Sequence, residues 1–119
     1  MPTKEMNTEK LHSTVKKVTD LLSKEKYKEI ESLCNGVQLD AKELAYAAKE
    51  YGMEILPLPK EGYEKLDVIE VTDSNPKEWS VYVPIYTTEE GMSDLTLELS
   101  LKDTPSEFYQ IEVDNLHVL

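Results

Sequence analysis

The stretch Leu95-Thr96-Leu97-Glu98-Leu99-Ser100-Leu101-Lys102 alternates leucine with a polar residue without a break. Successive side chains of a strand point to opposite faces, so such a run has one apolar side and one wet side. A slip of one residue would expose all four leucines, which pins the register. A chain holding this segment must cover one side of an antiparallel sheet and leave the other to solvent.

Neighbouring segments continue the pattern. Trp79, Val81, Val83 and Ile85 point one way, and Ser80, Tyr82, Pro84 and Tyr86 the other. Tyr109, Ile111 and Val113 take the core side of a last strand. The period slips at Asp114-Asn115, where one extra residue reads as a β-bulge and hands the inward positions to Leu116 and Val118. A shorter strand is predicted over 67–72. Turns at Asp73-Ser74-Asn75-Pro76, Glu89-Glu90-Gly91 and Asp103-Thr104-Pro105-Ser106 separate the strands. Pro84 has no N–H for a ladder and is expected where strand two outruns the short first strand.

The first half has helical periodicity instead. Leu11, Val15, Val18 and Leu22 form one stripe on a helix over 8–23. A shorter helix fits 26–34, with Tyr27, Ile30 and Leu33 on one face and Asn35-Gly36 as its stop. The third starts at Asp40, where Glu43 completes a capping box and Leu39 and Leu44 are placed as a hydrophobic staple. Leu44, Ala47, Ala48 and Tyr51 make its buried side, and Gly52 ends it. The prolines of Ile55-Leu56-Pro57-Leu58-Pro59 make 53–64 an extended connector whose apolar residues pack over an open end of the core. The expected fold is α+β: three N-terminal helices on one face of a four-stranded antiparallel meander. Residues 1–119 form a single domain, with helices over about 8–52, the connector over 53–64 and the sheet over about 66–119.

Charge is segregated along the chain. The net charge is −11. Residues 1–60 hold 10 lysines and 10 acids, and residues 61–119 hold 3 lysines and 14 acids, so the second half carries the whole imbalance. Such a field repels nucleic acid and anionic membrane and favours a basic partner or a cation. All 13 basic residues are lysine, which removes the guanidinium fork used against phosphate. A lone cysteine, Cys34, allows no internal disulfide. The first residues lack the apolar stretch of a signal peptide, and a cytoplasmic setting is expected.

Catalytic chemistry needs convergent groups, and few are legible. Cys34 borders the apolar stripe of helix two and reads as a buried structural thiol. His12 stands at the exposed start of helix one. The glycines sit at turns and helix ends, so there is no phosphate loop, and no histidine–cysteine spacing suits zinc. The acidic loop over 87–94 lacks the alternating oxygen ligands of a calcium loop. No catalytic residue, metal ligand or cofactor site is assigned. The one constellation lies on the outward sheet face, where Tyr82, Glu98 and Glu112 alternate outward on three adjacent strands, with Tyr86, Gln110, Asp114 and His117 near them. A histidine beside carboxylates is suited to acid–base work. Solvated sheet faces ordinarily carry the same residue types. Tyrosines among carboxylates better suit recognition of a basic protein, the aromatics anchoring and the acids steering.

The stretch from Trp79 to Leu99, together with Tyr109 to Leu119, resembles a family of small bacterial domains of unknown function, and the resemblance extends back to about Leu11. It implies no activity and carries over no catalytic residues. The order of helices then meander is more distantly similar to the cystatin-like and nuclear-transport-factor-like cone folds, and size and charge are similar to those of immunity proteins of bacterial toxin systems. The expected function is therefore a non-enzymatic protein-binding module with an acidic sheet face, of immunity type. The alternative is a small-molecule-binding or enzymatic cone-like domain with a pocket between helix three and the sheet, near Trp79 and Tyr51. A monomer is expected, or a weak homodimer through the last strand, with no nucleic acid and no membrane as partner.

Overall fold

In the computed structural model, which describes residues 6–34 and 39–118, the helices precede the strands, as the periodicities predict. Helix α1 (Thr8–Ser23) starts at Asn7, whose backbone is extended and whose side-chain oxygen accepts the Lys10 N–H, while its carbonyl accepts the Leu11 N–H. It buries Leu11, Val15, Val18 and Leu22, and also Thr14 and Thr19. Both threonine hydroxyls donate back to a carbonyl one turn earlier, Thr14 to Lys10 at 2.7 Å and Thr19 to Val15 at 3.0 Å, so neither is buried unsatisfied.

Helix α2 (Tyr27–Leu33) buries Ile30. The Asn35-Gly36 stop expected for it lies outside the described residues. Helix α3 (Ala41–Tyr51) opens with the capping box in both directions, Asp40 to the Glu43 N–H and Glu43 to the Asp40 N–H. It closes at Gly52, whose φ of 79° is left-handed, a region that glycine enters without Cβ strain.

The connector differs from expectation. Lys60–Tyr63 forms a short helix, α4, with Pro59 as its N-cap. A proline ending one extended stretch is equally suited to stand before a helical turn, because its missing N–H is one that the turn leaves unpaired anyway. Leu58 is buried ahead of it, and Tyr63 lies against the His12 ring, with centroids 5.0 Å apart. His12 is thus half-buried rather than exposed.

Strands β1 (Asp67–Glu70), β2 (Glu78–Thr87), β3 (Gly91–Lys102) and β4 (Gln110–Val118) form one antiparallel sheet in the order β1-β2-β3-β4. Leu95, Leu97, Leu99 and Leu101 are each at most 2% exposed and share the core with the α1 stripe, Ile30, Leu44 and Ala48. The helices therefore cover one face. β1 pairs only as far as Tyr82, and the next neighbour on that edge is Ile55, bridged to Thr87. Pro84 falls in the gap, as its missing donor requires.

Two irregularities interrupt the ladders. Between β3 and β4, Glu98 faces Asn115 and Leu99 faces Val113, so Asp114 is the extra residue of the expected bulge. Leu116 turns inward beyond it at 3% exposure. Val118, also expected inward, is 54% exposed at the last rung, opposite Leu95. Between β2 and β3, Pro84 faces Thr96 but Tyr86 faces Met92, so Ile85 alone spans three residues of β3. The Ser93 hydroxyl meets the Ile85 carbonyl there at 2.6 Å. The alternation of β2 ends at this slip, and Tyr86, expected outward, is buried at 7% exposure beneath α4.

Candidate functional site

The outward face of the sheet is assembled by register. Tyr82 stands between Asp67 of β1 and Glu98 of β3, so a half-buried phenol is flanked by two carboxylates on neighbouring strands. One row away, Ser80, Ser100 and Glu112 face one another across β2, β3 and β4. Without the bulge, even-numbered residues of β4 would stay outward and His117 would turn into the core. The single extra residue reverses that parity and brings His117 out opposite Thr96. There its Nε2, itself buried, lies in contact with Glu98 Oε2.

Asp114 accepts the Ser100 hydroxyl at 2.6 Å. Burial pushes its carboxyl pKa above the ordinary value; the Ser100 hydrogen bond opposes this, and the Glu112 and Glu98 charges add to it. At the end of the face, Lys102 Nζ lies 3.9 Å from Glu78 and 3.7 Å from Glu112. The patch thus gathers Glu78, Glu98, Glu112 and Asp114 against one lysine and one histidine. Of the residues singled out from sequence, Tyr82, Glu98, Glu112, Asp114 and His117 come together here, and Tyr86 does not. Lys102 and Ser100 complete the face; their outward parity in β3 was the available signal.

Other candidates take structural roles. Cys34 caps α2, half-buried, with its thiol 3.2 Å from the Ile30 carbonyl, and burial raises its pKa. The acidic turn of the β2–β3 hairpin uses its carboxylates internally: Tyr51 donates to Glu90 at 2.6 Å, and the Glu54 N–H donates to Glu89 at 3.1 Å. Among the described residues, no three His, Cys, Asp or Glu side chains cluster so as to hold a metal ion. Trp79 is 4% exposed and packs on Tyr109 at 5.3 Å between centroids. A cleft of about 370 Å³ beside α3 is lined by Leu22, Tyr27, Ala48, Lys49, Met53 and Ile55. No described helix is long and apolar enough to cross a membrane.

A family model described as Domain of unknown function (DUF7668) matches residues 19–119. No curated protein and no solved structure matches the chain.

Proposed function

The chain belongs to the DUF7668 family of domains of unknown function, and we propose that it is a non-enzymatic protein-binding module whose outward sheet face receives a basic protein. The observation carrying this reading is the convergence of Glu78, Glu98, Glu112 and Asp114 on one face of a sheet whose other face is core. Tyr82, set between carboxylates, supplies an amphipathic contact surface, and the acids steer a cationic partner toward it. The family match brings no activity, and the carboxylates at the hairpin turn and the half-buried thiol are engaged within the fold.

An immunity-type role is the specific form of this reading: a small acidic protein masks a basic toxin by covering its cationic surface. The expected partner is then encoded beside this chain.

The test is capture of partners from native extract at low salt, followed by elution at high salt. We expect a basic protein, released as salt screens the encounter, and lost when Glu98 and Glu112 are both replaced by lysine. Replacing the exposed Glu50 of α3 by lysine is the control and should leave capture intact. Absence of a salt-sensitive partner, or a partner indifferent to the face reversal, would sink the proposal.

A further inference from the structure

β1 is exposed along its whole length, with Val68 at 36% and Ile69 at 48%. Its hydrogen-bonding parity is fixed by the Val71 N–H, which donates to the Glu78 carbonyl. Donors of an antiparallel strand alternate sides, so Asp67 and Ile69 bond toward β2, while the N–H and C=O groups of Val68 and Glu70 point away from the sheet. The opposite edge is encumbered: β4 meets Cys34 in a parallel bridge at Ile111 and is bent by the Asp114 bulge. Among the described residues, β1 is the sheet edge that offers backbone groups in line.

We infer that β1 is a docking edge for an extended segment of a basic partner, which adds to the sheet as a further strand. This rests on the reading of a basic protein partner given above and specifies how that partner is held. Main-chain pairing to Val68 and Glu70 supplies the attachment, and the side chains supply the selection. Asp67 and Ile69 share the outward face with Tyr82 and Ser80, whereas Val68 and Glu70 share the other face with Val81 and Trp79. A strand laid alongside therefore meets acid, apolar, apolar, acid, and the complementary sequence is basic, apolar, apolar, basic in either direction. Lys77 holds Glu70 in an ion pair, leaving Asp67 as the freer of the two charges. A second copy of β1 is a poor occupant, since it would bring Asp67 and Glu70 of both copies onto one short ladder, and like charges on facing strands repel.

The probe is a blocked peptide with Lys-Val-Ile-Lys at its centre, titrated into the isotope-labelled full chain at low salt while amide shifts are followed. We expect perturbation confined to 66–71, with slowed exchange at the Val68 and Glu70 amides, and no effect from the matching Glu-Val-Ile-Glu peptide. Val68→Pro removes an outward N–H that β2 does not use and should abolish binding; unchanged spectra elsewhere would establish its fold. Asp67→Lys, which leaves the backbone intact, should weaken binding about fivefold. Shifts at Glu98, Glu112 and His117 in place of β1 would overturn the docking edge while leaving the acidic-face reading standing. Binding of neither peptide, equal binding of both, or a dimer formed through β1 would also overturn it. Failure here alongside a face-sensitive captured partner separates this inference from the proposed function.

Discussion

The Ser100 hydroxyl and the Asp114 carboxylate are joined across the β3–β4 ladder at 2.6 Å, and Asp114 is the one residue of β4 without a rung of its own. The hydrogen bond ties down a bulge that determines which way His117 faces, so this pair supports the whole end of the acidic patch.

Stability should respond to pH through Asp114. Burial, the leading cause, raises its pKa in the folded chain above 3.8, as do Glu112 and Glu98, against the Ser100 hydrogen bond. The folded state then holds this proton more tightly than the unfolded state. The group's stabilising contribution is fully present below the ordinary carboxylate value and is lost as pH rises through the raised folded value. Asp114→Asn keeps an acceptor for Ser100 and removes the titration. Thermal unfolding from about pH 3 to about pH 7 should show a smaller fall with rising pH in the variant. Identical pH slopes would remove Asp114 from this account.

The two tyrosines of β2 should differ sharply on truncation. Tyr86→Ala empties a packed site under α4 and should cost about 3 kcal/mol in urea unfolding. Tyr82→Ala on the solvent face should cost under about 1 kcal/mol. Gly62 reports on the same packing from the other side: a methyl group there would stand 2.8 Å from Leu58 Cγ and 3.1 Å from Tyr86 Cε1. Gly62→Ala should therefore destabilise by about 1–3 kcal/mol.

Thr14 links the two layers. Its hydroxyl accepts the Tyr109 N–H at 3.0 Å while donating to the Lys10 carbonyl. Asn7 N–H in turn donates to the Tyr109 hydroxyl at 2.9 Å, and Lys10 Nζ lies 4.6 Å from the Tyr109 ring centroid. Thr14→Val keeps the shape and strands the Tyr109 N–H, a loss of about 1–3 kcal/mol by equilibrium unfolding. Thr14→Ser should recover most of it.

Cys34 should be a slow thiol. Burial raises its pKa above 9.0, with the Val113 backbone contact opposing and Glu112, Glu31 and Asp114 adding. Alkylation at neutral pH should run slower than for an unhindered cysteine and speed up on denaturation. Equal rates in both states would place the thiol at the surface.

The elements legible in the sequence are those whose pattern is long and whose reasons are local. The leucine alternation of β3, the α1 stripe and the Asp40–Glu43 capping box each specify their own geometry. The bulge was readable because the apolar parity on its two sides disagrees. Tyr86 was not readable that way. The slip after Pro84 is absorbed by the partner strand, so nothing in β2 itself marks the change, and a tyrosine suits either face. Helix α4 was too short for periodicity, and its glycine reads as a turn until Leu58 and Tyr86 are seen against it. Thr14 and Thr19 look like polar flanks of α1, and only back-bonding to the helix makes them core residues. On the acidic face, parity located Tyr82, Glu98, Glu112, Asp114 and His117, but Ser100 as the partner of Asp114 is a tertiary fact.

The ties between the hairpin turn and the end of α3 have a practical corollary. Solvent-facing hairpin turns are the customary place to insert a tag or fluorophore. Here an insertion between Thr88 and Gly91 would sever the anchors of Tyr51 and Glu54 and loosen a helix far away in sequence. Reporter groups meant to leave the molecule undisturbed belong on α3 at the exposed Tyr46.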